Sequence, residues 1–321
     1  MQKIKKIAII GLGPVGMVLA VHLKNAGHNI ALFVRSEEKK EVIEDNGITL
    51  TGFIENKADF KFVYDDISEV GNFNPEVIIS AVKSHQIALL LEMVKPYISE
   101  DTLMLCAQNG IDTEFEYSSV FDNSKLLRMV INFAGKLKNP SETEVMFINA
   151  PNYIASLEKE NDALSEVIAN SLSNNKLDTI SCSYQGLKKS IWEKTILNSS
   201  LSALCALSKL TMLEAMSDPD LVLVIRQTIE ESIEVAQKEG INISDDFLDH
   251  SIIYLTKAGN HFPSLALDFI NNKSTEIDLF NGKIVDYSKI HNLRTPINSA
   301  FSSMMRAMTA KAKREQLNQS L

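Results

Sequence analysis

Three cysteines are all that the 321 residues contain. Cys106, Cys182 and Cys205 lie far apart and match no zinc-ligand or redox spacing, and an odd number cannot complete a disulfide framework. They read as buried thiols of a cytoplasmic protein. The six histidines include no HxxxH pair and no Cys/His cluster, so no metal site is expected. Positive charge is in deficit, with 32 Lys+Arg against 41 Asp+Glu for a net charge of −9. That argues against a nucleic-acid partner, since a duplex binder needs a basic surface to displace counterions. Long apolar runs are missing too: no segment holds about 18 consecutive apolar residues, so no membrane partner is expected. The opening Met1-Gln2-Lys3-Ile4-Lys5-Lys6 leads into a strand, without the apolar stretch and small-residue cleavage site of a signal peptide. No internal repeat or low-complexity segment occurs.

What is present is an ordinary globular composition, 45% hydrophobic and 23% charged. At about 150 residues per domain it predicts two domains, each with a core of its own. The first half alternates strand and helix. Ile4–Ile10 is a continuous apolar run, as expected of a strand buried on both faces. A helical pattern, Val15 to Ala26, is closed by Gly27, and Asn29–Val34 reads as the second strand. Further strands fit Lys61–Val63, Val77–Ala81 and Thr102–Cys106, with helices at Glu37–Asn46 and His85–Ile98 between them. The order implies a parallel sheet with helices on both faces.

Between the first strand and helix stands Gly11-Leu12-Gly13-Pro14-Val15-Gly16. A GxGxxG string alone is weak, but a strand before it, a helix after it and a second strand about 20 residues on make a dinucleotide-binding turn. Gly11 permits the tight turn, Gly13 lets a pyrophosphate approach bare backbone, and Gly16 lets helix and strand pack closely. The anion then lies on the helix N-terminus, where free N–H groups and the dipole favour negative charge. Pro14 fits the first helical turn, where its missing N–H costs nothing. Sites for NAD usually end the second strand in Asp or Glu. This chain reads Phe33-Val34-Arg35-Ser36. Arg35 can pair with a 2′-phosphate and Ser36 can donate to it, so NADP is expected. Glu37 and Glu38 mute that local positive field, and Lys39 and Lys40 partly restore it.

Four strands, near Lys125–Ala134, Val145–Ile148, Tyr153–Ser156 and Leu177–Ile180, close the first domain, with a helix at Asn161–Ser173. After about residue 185 strand patterns stop. Helices fit Gly186–Ala206, a segment opened by Ser217-Asp218-Pro219 and running to Gly240, Asp245–Lys257, Ser264–Asn271, Glu276–Ile290 and Pro296–Lys313. The methionines of the last, Met304, Met305 and Met308, are expected in the core.

Several separated motifs occur in a telling order. They are Gly11–Gly16, Ala81-Val82-Lys83-Ser84-His85-Gln86, Gln108-Asn109-Gly110, Trp192-Glu193-Lys194 with Asn198, Pro263-Ser264 followed by Asp268, and Glu276-Ile277-Asp278 followed by Asn281-Gly282. Together they resemble the ketopantoate reductases (2-dehydropantoate 2-reductases) over nearly the whole chain. The resemblance implies an α/β N-terminal Rossmann-type domain, doubly wound with a mostly parallel sheet, and an all-α C-terminal domain. The expected boundaries are 1–184 for the NADP-binding domain and 185–321 for the helical substrate domain. It also implies hydride transfer from NADPH to a 2-keto acid, most simply ketopantoate to pantoate in pantothenate and coenzyme A biosynthesis. By that similarity Lys194 is the catalytic acid and Glu276 the carboxylate at the substrate hydroxyl. Asn109, Asn198 and Ser264 would hold the substrate, Lys83 would lie on the nicotinamide-ribose side, and Asn109 and Glu276 would also face the cofactor.

Elementary chemistry supports these roles. Hydride arriving at a ketone leaves charge on oxygen, which a lysine can neutralise and protonate. Asn198 lies four residues beyond Lys194, on the same helix face, although such a pair is also ordinary on a solvated helix. As a first-turn acid Glu276 would equally suit a helix N-terminus, Asn109-Gly110 alone would be a plain turn, and Trp192 reads as packing. Specificity is less clear-cut. A turn beyond Asn198 the family usually has a second asparagine, and here Ser202 takes that substrate-binding position. The family's Asn-x-x-Ser-Met-Leu-Gln-Asp appears as His261-Phe262-Pro263-Ser264-Leu265-Ala266-Leu267-Asp268, with His261 read as a loop residue. Fewer polar partners discriminate less well for a hydroxylated substrate. A reductase for another branched or aromatic 2-keto acid, with NADPH or NADH, and a non-catalytic dinucleotide sensor are the alternatives. A homodimer is possible.

Overall fold

Alternate residues of the first strand face different cores, which is what burial of a strand on both sides requires. In β1 (Lys6–Ile10) Ile7 and Ile9 join one apolar cluster while Ala8 and Ile10 join another. The computed structural model describes residues 6–319, so the expected strand residues Ile4 and Lys5 lie outside it. Helix α1 (Pro14–Asn25) follows, then β2 (Asn29–Phe33) and α2 (Glu37–Asn46). The chain continues through β3 (Ile48–Gly52), β4 (Asn56–Ala58), β5 (Phe62–Tyr64), α3 (Glu69–Phe73), β6 (Val77–Ser80) and α4 (Ile87–Val94). Next come β7 (Leu103–Cys106), β8 (Leu126–Val130), β9 (Phe133–Asn139), β10 (Glu142–Ile148), β11 (Asn152–Ser156), α5 (Asp162–Ser173) and β12 (Thr179–Ser181).

Eight strands form one sheet in the order β12-β11-β8-β7-β6-β1-β2-β5. Every pairing in it is parallel except β11 with β8. The remaining four strands form a second sheet, β4-β3-β10-β9. There β10 pairs parallel with β3, Glu142 opposite Thr49, and antiparallel with β9. Thus the single strand expected over Lys125–Ala134 is two. It ends at Val130 and restarts at Phe133 in the other sheet, with Asn132 N–H held by Asn152 Oδ1 at 2.8 Å at the crossing.

The rest is helical: α6 (Tyr184–Ser208), α7 (Met212–Ser217), α8 (Pro219–Lys238), α9 (Phe247–Thr256), α10 (Ser264–Ile270), α11 (Asn281–Ile290) and α12 (Pro296–Gln319). By its contacts the chain divides into two units. One runs to Gln108 and resumes over Asp112–Leu187; the other takes Asn109–Ile111 and everything from Lys188. The first is a doubly wound α/β unit and the second is all-α. No helix among the described residues is long and apolar enough to cross a membrane.

Three more expectations need correction. The helix expected over Glu276–Ile290 is interrupted: a 3-10 turn spans Ile277–Leu279, Phe280 leaves the helical region at φ −105, ψ −97, and α11 starts only at Asn281. Glu276 therefore precedes a tight turn rather than opening a helix. His85–Ile98 likewise begins as a 3-10 turn, Ser84–Gln86, before α4. Of the three methionines, Met305 is fully buried, but Met304 and Met308 on α12 are exposed.

Candidate active site

The α/β unit carries a turn shaped by glycine. Gly11 has φ +98, and a Cβ there would lie 2.5 Å from Val82 N. A Cβ on Gly16 would fall 2.1 Å from the Gly11 carbonyl oxygen, so α1 can start this close to β1 only with glycine at that position. Gly13 differs: nothing lies within 4 Å of its missing Cβ. Helix α1 begins with Pro14, has no capping side chain on Gly13 and no acid in its first turn. Its partial positive charge is left for an anion from outside, beside backbone that a pyrophosphate can approach. Leu12 is buried here and Val15 half-buried.

Past the end of β2, Arg35 is exposed, and its guanidinium donates to Gln86 Oε1 on the turn after β6. Ser36 caps α2, its hydroxyl oxygen accepting from Lys39 N–H at 3.4 Å. The Lys39 side chain turns back, and Nζ donates to the Leu12 carbonyl at 2.7 Å. Burial first, and the Arg35 charge second, hold its amine below the usual lysine range.

A buried lattice fixes the ends of β6 and β7. Gln108 Nε2 donates to Ser80 O at 3.0 Å, Ser80 Oγ at 3.1 Å and Val82 O at 3.1 Å, so one amide ties the two strand ends together. Tyr117 donates to Ser80 Oγ at 2.6 Å, and burial pushes its phenol well above the usual range, keeping the donor protonated. Alongside, Arg128 pairs with Glu114 (Nε to Oε2, 3.2 Å) and donates to the Gln108 carbonyl, while Tyr184 donates to Glu114 Oε1 at 2.6 Å. Both members of the ion pair are almost fully buried. Lys83, three residues past β6, is exposed.

In the helical unit, Lys194, Asn198 and Ser202 follow one another at four-residue spacing on α6. Lys194 and Asn198 are half-buried and Ser202 is buried. Trp192 packs on Tyr287, ring centroids 5.4 Å apart, as its packing role predicts. Two hydrogen bonds join this helix and two other segments in series. Asn281 Nδ2 donates to the Ser199 carbonyl at 2.9 Å, which docks the start of α11 one residue from Asn198. Ile111 N–H donates to Leu279 O at 3.2 Å, which docks the Asn109–Ile111 strip on the turn that follows Glu276. Gly110 is required there, with φ +102 and a hypothetical Cβ 2.6 Å from Leu279 Cβ. Asn109, Glu276 and Asn198 thus stand on three chain segments joined by hydrogen bonds. Glu276 is buried, whereas its neighbour Asp278 is exposed and paired with Arg306 at 2.6 Å. Ser264 opens α10 and is exposed. His261 sits in the preceding loop, its carbonyl accepting from Met212 N–H at 3.0 Å, and Leu267 is exposed.

Sequence reasoning named the three glycines and the residues of α6. It passed over Gln108 and Gln86 as chemistry although both lie in the quoted motifs, and it counted Lys39 only as charge. Arg128 and Glu114 gave no signal, since a buried ion pair looks in sequence like any two surface residues.

An anion cradle at the carboxyl end of a parallel sheet, with a helical unit carrying amines, amides and a buried carboxylate, defines a dinucleotide-binding oxidoreductase. Comparison with known proteins gives the family. The pattern of Ketopantoate reductase PanE/ApbA matches residues 7–159 and that of Ketopantoate reductase PanE/ApbA C terminal matches 187–309. The chain belongs to the ketopantoate reductase family. A 2-dehydropantoate 2-reductase of Streptococcus pyogenes serotype M18 is 23% identical over 306 residues, covering 95% of this chain and 98% of that one. Among solved structures, a PanE/ApbA family ketopantoate reductase from Ralstonia eutropha JMP134 matches with a TM-score of 0.84 at 23% identity, over 96% of this chain and 99% of that one. A D-mandelate dehydrogenase with NADH and anilino(oxo)acetate matches with a TM-score of 0.83 at 23% identity, over the same shares. At such identities these structures speak for the fold.

Proposed function

We propose that the protein reduces a 2-keto acid to the 2-hydroxy acid with NADPH, ketopantoate being the substrate. The observation that carries this reading is the joining of the Asn109, Glu276 and Asn198 segments in the helical unit. A sensor needs only the dinucleotide half, and would have no use for a buried carboxylate on a segment that hydrogen bonds join to those of Asn109 and Asn198. The open face of Gly13 and the uncapped start of α1 fit a pyrophosphate, and Arg35 fits a 2′-phosphate. When bound, NADPH supplies the hydride.

The residues of this chain do the rest. Lys194 delivers a proton to the ketone oxygen as negative charge develops there, the role for which a half-buried amine is suited. Asn198, one helical turn on, donates an amide N–H to a substrate oxygen without adding charge. Glu276 accepts from the substrate hydroxyl, while Asn109, Ser202 and Ser264 complete the substrate contacts. Gly11–Gly16 and Lys83 belong to the dinucleotide side. The test is NADPH oxidation with ketopantoate. Lys194→Ala is expected to lower kcat by about 10²–10⁴-fold with NADPH affinity intact; unchanged turnover would reject the assignment. Replacement of the family asparagine by Ser202, and of Gln by the exposed Leu267, weakens selection for the substrate hydroxyl. A panel of branched and aromatic keto acids, run with NADPH and with NADH, therefore decides the substrate by kcat/KM.

A further inference from the structure

We propose that Lys39 is a second recognition residue for the phosphate on the adenine-side ribose, forming with Arg35 a two-cation seat for a phosphomonoester. The inference rests on the NADPH reading above and goes beyond the single arginine that the sequence suggests.

Lys39 lies in the first turn of α2, yet its ammonium reaches back to the glycine turn and stops at the Leu12 carbonyl, 2.7 Å away. Arg35, four residues earlier, is close enough for its charge to act on that amine. Neither cation is neutralised: among the described residues neither forms a salt bridge, and the hydrogen-bond acceptors they meet, the Leu12 carbonyl and the Gln86 amide oxygen, are uncharged. The adjacent Lys40 shows the contrasting arrangement, paired with Asp65 at 3.0 Å. Glu37 and Glu38 stand in the same turn without engaging Arg35 or Lys39 in an ion pair.

Two like charges brought together and left unpaired raise the free energy of the unliganded protein, and an anion between them removes that cost. Of the anions on the dinucleotide, the pyrophosphate has its seat at Gly13 and the start of α1. The end of β2 is where this fold meets the adenine-side ribose, so the 2′-phosphate is the group that Arg35 and Lys39 face. Its near-double negative charge and several acceptor oxygens can take a guanidinium and an ammonium at once. Ser36 is less suited than its hydroxyl suggests, because its oxygen already caps Lys39 N–H.

Calorimetric titration of the full chain with 2′,5′-ADP and with 5′-ADP tests the assignment without turnover. Wild type is expected to prefer 2′,5′-ADP, and Lys39→Met, which keeps the apolar stem, to lose about ten- to a hundredfold in affinity for 2′,5′-ADP while binding 5′-ADP as before. Lys39→Gln gives the same comparison should the methionine variant fold poorly, and Lys39→Arg should keep the preference. Equal losses for both ligands would show that Lys39 only shapes the glycine turn, and no loss would show that it does not reach the phosphate; either overturns the proposal. A wild type indifferent to the 2′-phosphate would overturn the NADPH reading itself, and the proposal with it.

Discussion

Gly13 and Gly16 are separated by two residues and by opposite physical demands. Gly16 faces its own protein, with a carbonyl oxygen where a methyl would go, whereas Gly13 faces open space. Gly16→Ala is therefore expected to force β1 and α1 apart and to lower stability by about 3 kcal/mol, at the upper end of what overpacking costs. Gly13 adopts φ −81, which alanine tolerates. Gly13→Ala should melt like wild type but bind dinucleotide about tenfold or more weakly, since its methyl occupies the approach to the backbone. Thermal melts beside NADPH titrations check both; the same phenotype in the two variants would contradict this division. The close packing at Gly16 was legible from spacing alone, because a turn between a buried strand and a helix leaves few other reasons for glycine there. The reach of Lys39 to Leu12 was not, since a lysine's end point depends on which backbone lies within its four-carbon radius.

Helix α12 shows how an element can be foreseen and its support missed. Thr295-Pro296 marks its start correctly, yet the Thr295 hydroxyl bonds to Ser288 Oγ at 3.0 Å. The N–H groups of the first turn go to a carboxylate on α8: Glu231 accepts from Ile297 at 2.9 Å and from Asn298 at 3.1 Å, and also from the Asn298 side chain at 2.9 Å. Asn298 in turn accepts from Asn281, whose amide also holds α6. The break at Phe280 has its reason here, because it starts α11 anew at Asn281 and turns that amide inward. Glu231→Ala should lower stability by about 2 kcal/mol or more, the range for a lost cap with charged hydrogen bonds. Glu231→Gln, with one acceptor left, should fall between it and wild type. Chemical denaturation supplies the order, and equal stability of all three proteins would show that α12 needs no such cap.

Across the whole molecule, the eight-stranded sheet was readable because its central strands β1, β2, β6, β7 and β8 are mostly apolar and almost wholly buried. The four-stranded sheet was read only in part, since the strand expected at Val145–Ile148 falls within β10 while β3 and β4 were missed. Its strands β3 and β10 alternate buried with half-exposed residues, several of them polar, and their register joins Thr49 to Glu142 across more than half of the first unit. Helix α6 has the reverse character, a local pattern that outlasts a boundary: it starts at Tyr184, bonded to Glu114, and the contact division falls inside it after Leu187.

The strip Asn109–Ile111 has a consequence for anyone dissecting the gene. Although it leaves the end of β7, its contacts belong with the helices, and Ile111 satisfies the Leu279 carbonyl. A C-terminal fragment beginning at Lys188 would lack this splint and leave the Leu279 carbonyl without the Ile111 N–H. Amide exchange around Leu279 should be faster in that fragment than in the intact chain, and a synthetic peptide spanning Gln108–Asp112 should slow it again. Equal protection with and without the strip would mean that the helices hold their shape unaided.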